Sequence, residues 1–254
     1  MRSQKPQKGN PHKLTFYQHI FPKQSIVRFT NSNGYVQVRQ TQGTRNQDLY
    51  LKPKNPFFCA QRVWDQKTES IMMRDIEARY QKIADQIVAN SIRSLDTTMS
   101  VAVTDMYLLC SLRQQYSLRP NQDVTMNRVK PERKLSIDQQ EILEANGYIF
   151  INPECALPGR FITGINIFRQ FDMERILMHG KYWGIVRSSN GEFLVPDNFC
   201  EYSVVPLTPT ICLVEGVKDQ TIGYEQVASI NREAIKNSHQ YIFGRDLKKC
   251  PALK

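Results

Sequence analysis

The feature that most constrains this chain is a central stretch without glycine or proline that carries a helical repeat of apolar residues. Neither helix breaker occurs between Glu69 and Arg93. Within it, apolar side chains recur at spacings of four, four, three and four residues, at Met72, Ile76, Tyr80, Ile83 and Ile87. Because an α-helix has 3.6 residues per turn, these positions share one face. The centre of the chain is therefore predicted to be helical, with Thr68 as its N-cap.

The same kind of pattern predicts further helices, over residues 98–116, 136–147, 166–179 and 224–238. The start and end of the second of these are the best defined. Ser136 is followed three residues later by Gln139, the spacing of a capping box, and Gly147 is a suitable C-cap residue.

β-Structure is predicted near both ends of the chain. An Asn-Gly pair between two runs of β-branched and aromatic residues is typical of a hairpin turn. This pattern occurs twice, joining segments 24–30 and 35–39, and segments 182–187 and 192–195. Further strands are predicted over 148–151 and 211–214. The expected fold class is α+β, with β-hairpins near both ends of the chain around a helical middle, in a single compact domain over residues 14–254.

The positive charge of the chain is concentrated near its first residue. Residues 1–56 hold ten Lys and Arg against one acid, Asp48, whereas the other 198 residues carry 24 basic and 23 acidic side chains. Such one-sided charge indicates a face that meets an anionic partner, most often nucleic acid. The residues predicted to bind it are Lys5, Lys8, Lys13, Lys23, Arg28, Arg39, Arg45, Lys52 and Lys54. Residues 1–13, almost devoid of apolar side chains, are predicted to be a flexible basic tail.

Aromatic residues alternate with these cations, at Tyr17, Phe21, Phe29 and Tyr35. Proteins that bind RNA or single strands combine base stacking with phosphate contacts in this way, which favours RNA over DNA as the partner. The alternative is that the aromatic rings belong to the core and the charges are merely solvated.

The remaining composition bears on the compartment. No apolar stretch approaches the ~20 residues of a membrane span, and no apolar run follows the basic start as in a secretory signal. The six cysteines lack the close pairing of zinc or redox motifs, so we expect reduced thiols. These observations predict a cytoplasmic protein without a membrane partner.

Several short motifs resemble a large uncharacterised bacterial and phage-associated family. Its opening motif, His-x-x-Pro followed by an aliphatic residue and a Phe, is matched by His19, Pro22, Ile26 and Phe29. Later segments of the family are matched at 55–60, 69–70, 193–198, 206–209 and 230–235, so that the resemblance extends from about residue 16 to 244. The family usually has Ser-Asp-Asn-Pro after a strand. Here Pro196 and Phe199 replace the Ser and the Pro.

This resemblance implies a role in bacterial defence, in a toxin system or in a mobile element. It brings no assigned activity, because the family is known by its pattern and not by a mechanism.

Three residues are candidates for catalysis. Histidine can act as a general acid or base near neutral pH, so His19, within the basic region, could deprotonate a ribose 2′-OH. Asp197 follows a predicted strand, where nucleases often place a ligand for Mg²⁺, and Glu77 or Glu69 could supply a second oxygen. The alternatives are a His19 that holds a backbone group and an Asp197 that caps its own turn.

The leading hypothesis is a nucleic-acid-targeting protein, acting on RNA ahead of DNA, in a bacterial defence or toxin system, with a nuclease effector as its enzymatic form. The alternative is a non-catalytic subunit whose basic face docks nucleic acid or an acidic partner protein. A small-molecule enzyme would need a deep pocket with converging polar groups. The motifs of P-loop proteins, dinucleotide-binding folds, zincins and α/β-hydrolases do not occur.

Overall fold

The computed structural model describes residues 4–42, 48–127, 134–200 and 203–253. The α-helices are α1 Lys23–Val27, α2 Arg74–Val88, α3 Thr97–Leu118, α4 Ile137–Ala145, α5 Gly159–Leu177 and α6 Tyr224–Asn237. The strands are β1 Tyr17–His19, β2 Val36–Gln40, β3 Leu49–Leu51, β4 Cys59–Gln61, β5 Val124–Thr125, β6 Ala156–Leu157, β7 Trp183–Ser188, β8 Val195–Pro196, β9 Val204–Thr208, β10 Ile211–Glu215, β11 Gln220–Ile222 and β12 Tyr241–Gly244. Short 3-10 helices cover Pro56–Phe58 and Leu247–Lys249, and a π-helical segment covers Thr68–Met73.

The strands form two four-stranded sheets and two small pairs. One sheet has the order β11-β7-β10-β9 and the other β3-β2-β12-β8, while β1 pairs with β4 and β5 with β6. All pairs are antiparallel except β11 with β7. Helices and mostly antiparallel strands in separate runs give an α+β fold, which confirms the predicted class.

The core lies where α2 and α3 pack together. The predicted apolar face of α2 is buried, with Tyr80 and Ile87 at 0% exposure, and α3 is buried along most of its length. The main apolar cluster joins these helices to both sheets through Val38, Trp183 and Phe243. Burial of this kind supplies most of the stability of helices of this length.

The predicted helices are all present. The first of them begins with a π-helical segment and continues as α2. Thr68 is not its N-cap as predicted, because Thr68 lies within the π-helical segment and its N–H donates to Asp65 Oδ1 at 3.0 Å. The capping box at α4 is confirmed, since Ser136 Oγ accepts from Gln139 N and Gln139 Oε1 accepts from Ser136 N.

The first predicted hairpin is wrong. Residues 23–27 form helix α1 in place of a strand, and β2 pairs instead with β3 and β12. Ile26 and Phe29, both at 0% exposure, are three residues apart, which places both on the buried side of a helical turn. Pro22 precedes this helix at the N-cap position.

The second predicted hairpin is also wrong, although its turn exists. Ser188 Oγ donates to Gly191 O at 2.7 Å, and Gly191 has a φ of 91°, which suits glycine. The flanking strands then separate, because β7 pairs with β10 and β11 whereas β8 pairs with β12 in the other sheet. Residues 148–151, predicted as a strand, form none, and Phe150 packs edge-on against Phe161.

Residues 4–13, predicted as part of a flexible tail, contact the rest of the chain through hydrogen bonds. Gln7 N donates to Glu141 of α4 at 2.8 Å, and His12 Nε2 lies 2.7 Å from Asp138 of the same helix. Gln4 O accepts from Arg62 at 3.1 Å. Within the described ranges, none of the helices has the length and apolar character required to cross a bilayer.

Candidate functional site

The cations predicted to bind nucleic acid fall into two groups. The six described lysines among them are exposed: Lys5, Lys8, Lys13, Lys23, Lys52 and Lys54. The two described arginines are engaged in ion pairs, Arg28 with Asp85 at 2.7 Å and Arg39 with Asp48 at 2.7 Å. A carboxylate paired in this way competes with phosphate for the guanidinium. Arg45 lies outside the described residues.

The Arg39–Asp48 pair is the stronger of the two by geometry. Arg39 donates from Nε at 2.7 Å and from Nη2 at 3.0 Å to the two oxygens of Asp48. These hydrogen bonds raise the pKa of Arg39 and lower the pKa of Asp48, because each stabilises the charged form of its partner.

A cleft of 560 Å³ lies beside strand β3, at the edge of the β3-β2-β12-β8 sheet. We call it the basic cleft, and it is lined by Asn31, Ser32, Gln37, Tyr50, Arg245, Asp246, Lys248 and Lys249. These residues come from the two ends of the sequence, because β12 pairs with β2 and brings the segment that follows it to the β2–β3 pair.

Gln37 connects the two sides of the basic cleft. Its buried side chain donates from Nε2 to Asp48 Oδ2 at 2.7 Å and accepts from Leu247 N at 2.9 Å. Leu247 begins the 3-10 helix, whose N-cap Asp246 accepts from Lys248 N. The exposed lysines of that short helix are thereby fixed next to the strand pair.

The basic cleft combines cations with an exposed aromatic ring. Tyr50 is 59% exposed, and Lys248 and Lys249 are exposed beside it. Arg245 is partly neutralised, since its Nη2 lies 2.6 Å from Glu192 Oε1. Bases stack on such rings while ammonium groups contact phosphate.

A second aromatic residue extends this surface along the strands. Register pairs Gln37 with Tyr50, and side chains two residues apart share a face, which places Tyr35 and Lys52 next along it. The Lys52 ammonium lies 5.4 Å from the centre of the Tyr35 ring, a cation–π distance.

Sequence reasoning missed half of the basic cleft. Arg245, Lys248 and Lys249 lie in a region whose overall charge is near neutral, and the only local signal is the adjacent lysine pair. Of the four aromatic residues singled out, Phe21 and Phe29 are buried and pack on Phe243. The core alternative is therefore right for those two.

His19, the first catalytic candidate, is half-buried at the end of β1 opposite Cys59. Its Nε2 lies 3.0 Å from the carbonyl oxygen of Pro53, so Nε2 carries the proton and donates. Burial lowers the pKa of His19, although that hydrogen bond opposes the effect. At neutral pH the ring is therefore neutral with its lone pair on Nδ1, as a general base requires.

The second candidate, Glu77, belongs to a group that we call the Arg113 cluster, formed by Arg113, Glu69, Glu77 and Trp64. Arg113 is 1% exposed, and its Nη1 lies 2.6 Å from Glu77 Oε1 while Nη2 lies 3.8 Å from Glu69 Oε2. Trp64 donates from Nε1 to Glu69 at 2.6 Å. Burial opposes the charge of Arg113, but the two carboxylates raise its pKa overall.

The local fold explains how these groups meet. Glu69 lies on the π-helical segment and Glu77 in the first turn of α2, so both face α3, which carries Arg113. π-Helical turns are uncommon and frequent at functional sites. The field of the same three groups acts on His19, so the structure brings two of the three catalytic candidates into one electrostatic neighbourhood.

Asp197, the third candidate, hydrogen-bonds backbone N–H groups with both of its carboxylate oxygens. Its buried carboxylate accepts from His239 N at 2.7 Å and from Gln240 N at 2.8 Å, immediately before β12. Burial raises the pKa of Asp197, while these bonds act in the opposite direction. The geometry fits a structural clamp on the start of β12, a structural role other than the predicted cap of its own turn.

The donor set does not fit a magnesium site at Asp197, because both of its oxygens accept backbone N–H groups. Across the described ranges, His, Cys, Asp and Glu side chains do not gather in threes in a way that could hold a metal ion.

Comparison with protein-family models, with curated proteins and with solved structures finds no significant match to this chain. The resemblance to the His-x-x-Pro family stays a prediction from the sequence.

Proposed function

We propose that this protein binds nucleic acid through the basic cleft, with single-stranded RNA preferred over DNA, as a cytoplasmic component of a bacterial defence or toxin system. The observation that carries the proposal is the position of Tyr50, an exposed ring next to Lys248 and Lys249 in a cleft at a sheet edge. The setting is taken from the family resemblance alone.

In this proposal the aromatic ring and the cations contribute to binding in different ways. Ammonium groups that neutralise phosphates release condensed counterions, which gives affinity and a steep dependence on salt. Stacking on an aromatic ring adds about 1–3 kcal/mol per base and requires a base that is not paired within a duplex. The six exposed N-terminal lysines would add to the attraction at longer range.

The binding experiment measures fluorescence anisotropy of labelled single-stranded RNA, the matching DNA strand and duplex DNA over a series of salt concentrations. The double variant Lys248→Gln, Lys249→Gln should bind RNA more weakly, with a salt slope smaller by about 1–2. The matched control is Lys82→Gln, Lys218→Gln, which removes the same charge from exposed positions outside the cleft.

If the two double variants lose the same affinity for RNA, the effect is due to net charge alone, and the basic cleft is not the binding site. Tighter binding of duplex DNA would overturn the preference for single strands. If none of the nucleic acids binds while an acidic peptide does, the non-catalytic subunit that docks an acidic partner replaces the proposal.

A second candidate function is RNA cleavage with His19 as the general base. It is favoured by the neutral imidazole and by the shared field of Glu77 and Arg113. Purified protein with labelled tRNA, with Mg²⁺ and with EDTA, is run on a denaturing gel. His19→Ala should abolish fragments while changing the free energy of unfolding by no more than about 1–2 kcal/mol, and Asp197→Asn should retain them.

His12→Ala is the control for the loss of a histidine, because the His12 side chain hydrogen-bonds Asp138 on α4, an element far in the sequence from His19, which lies on β1. Fragments that persist in His19→Ala, or a variant that no longer folds, would make His19 structural.

A further inference from the structure

A cleft of 1080 Å³, distinct from the basic cleft, lies between the first described residues, strand β4 and the start of α5. We call it the arginine pocket. Its polar lining includes Gln4, Lys5, Arg62, Asn121, Asp123 and Arg160. The volume is just above the ~300–1,000 Å³ that is usual for small-molecule sites.

The two arginines of this pocket share a single buried carboxylate that lies behind its lining. Arg62 Nη2 lies 2.7 Å and Arg160 Nε lies 2.9 Å from the same oxygen, Oε2 of Glu144, which is 2% exposed. Lys5 adds a third cation, and Asp123, which accepts from Gly159 N, adds a second carboxylate. The group therefore carries one positive charge in excess, in a partly desolvated place where an anion would be held strongly.

The two guanidinium groups also have more donors than acceptors. Each has five N–H donors in a fixed fork. Within the described ranges they make four hydrogen bonds in total, two to Glu144 and two to Gln4, through its backbone oxygen and its Oε1. The Nε of Arg62 is buried and has no partner in that part of the chain.

The backbone holds Arg62 in a rare conformation. Its φ is 48°, in the left-handed region that is strained for a residue other than glycine. The turn is kept by the bond from Arg62 N to Phe16 O at 2.8 Å. Such outliers concentrate at binding and catalytic sites, where the surrounding structure maintains them.

The pocket also contains groups that suit a polar, planar partner. Gln4 and Asn121 bring side-chain NH₂ donors to the pocket, while the amide oxygen of Asn121 accepts from Thr163 Oγ1 and Asn166 Nδ2. The Arg160 guanidinium is placed by two rings, 5.0 Å from the centre of Phe161 and 5.7 Å from that of Phe150. Planar forks of this kind bind phosphate in a bidentate manner.

We propose that the arginine pocket binds a small phosphate-bearing molecule of the nucleotide class, with its phosphate on Arg62, Arg160 and Lys5 and its base towards the amides. The two oxygens of Gln4 now occupy donors that phosphate oxygens would take. This site is independent of the basic cleft and of whether the protein binds RNA.

Isothermal titration calorimetry with adenosine 5′-monophosphate, inorganic phosphate and adenosine tests the proposal on the full chain. We expect the monophosphate to bind, phosphate to bind more weakly and adenosine to show no saturable binding. Lys5→Gln and Arg160→Gln should each weaken binding of the monophosphate about tenfold, the loss expected for one charge-assisted contact.

Lys8→Gln is the matched control, an exposed lysine three residues from Lys5 that does not line the pocket, and it should bind like the unchanged protein. Tyr50→Ala should also bind the monophosphate normally, which separates this site from the basic cleft. Arg160 forms an ion pair with buried Glu144, so a loss of binding in Arg160→Gln can also come from poor folding. Lys5 is exposed, so Lys5→Gln tests binding without this effect on folding. No saturable binding of the monophosphate, equal binding of adenosine, or equal losses in Lys5→Gln and Lys8→Gln would overturn the proposal.

Discussion

The basic cleft and the Arg113 cluster use the same residue types in opposite ways. Each combines cations with an aromatic ring, yet Lys248 and Lys249 are exposed beside Tyr50 whereas Arg113 is enclosed by Trp64, Glu69 and Glu77. An exposed cation costs little to maintain and stays available to an outside anion. A buried cation needs neighbouring carboxylates to offset the cost of its desolvation. Its charge therefore contributes to the stability of the fold and to the electrostatic field around it.

The largest expected effect is on stability, from the buried side of this comparison. Arg113→Ala removes the partner of two carboxylates and leaves a cavity, so it should lower the free energy of unfolding by about 3–5 kcal/mol. Lys248→Ala, at an exposed cation, should change it by no more than about 0.5 kcal/mol. Urea denaturation measures both changes. Similar values for the two variants would contradict the difference proposed between the buried and the exposed cations.

Asp197 extends the comparison to a buried carboxylate that is held by backbone N–H groups and makes no salt bridge to Lys or Arg within the described residues. Asp197→Ala leaves the N–H groups of His239 and Gln240 without acceptors and should cost about 2–3 kcal/mol in urea denaturation. Asp197→Asn retains one acceptor and should cost less. A neutral effect of the alanine variant, together with loss of RNA cleavage, would return Asp197 to the list of catalytic residues.

Tyr50 is the counterpart on the exposed side. Tyr50→Ala should weaken binding of single-stranded RNA by about 1–3 kcal/mol, since one stacking platform is lost, and leave the free energy of unfolding within about 0.5 kcal/mol. Fluorescence anisotropy measures the change in RNA affinity, and urea denaturation of the same preparation measures the change in the free energy of unfolding. Tyr50→Phe, which keeps the ring, should bind almost normally, and a loss as large as that of the alanine variant would exclude stacking.

The smallest expected effect is a dependence of stability on pH that arises from His19. Burial holds its pKa in the folded protein below the ordinary 6.5, so the unfolded chain binds more protons as the pH falls past 6.5. The free energy of unfolding should be highest above that pH and decrease as the pH is lowered towards the folded pKa. His19→Asn should flatten this decrease, with the exposed His179→Asn as control, and an unchanged slope in His19→Asn would contradict the burial argument.

The sequence predicts the fold best where local signals and tertiary contacts agree. The capping box of α4 and the apolar face of α2 are local patterns, and both are confirmed. The prediction for segment 24–30 is wrong because its residues carry two conflicting signals. The residue types of Ile26 and Phe29 are typical of a strand, whereas their spacing fits a helical turn. Burial of both in the core decides for the helix, and no local propensity contains that information.

The candidate site was only half predictable for a related reason. Charge counting locates the N-terminal cations, including Lys52, but it cannot show that Arg39 pairs with Asp48. The lysines of the C-terminal segment reach the same surface only because Tyr241 pairs with Gln40, about 200 positions away. Contacts across such distances leave no trace in a single sequence.

The pairing of β2 with β12 has a consequence for synthesis of the chain. During translation the β2–β3 pair emerges early and has no partner on its inner edge until Tyr241–Gly244 leaves the ribosome. Closing a connection of this length is slow compared with local helix formation. In a nascent chain, the basic cleft is therefore completed only after β12 has paired with β2, because this pairing brings Lys248 and Lys249 to Tyr50.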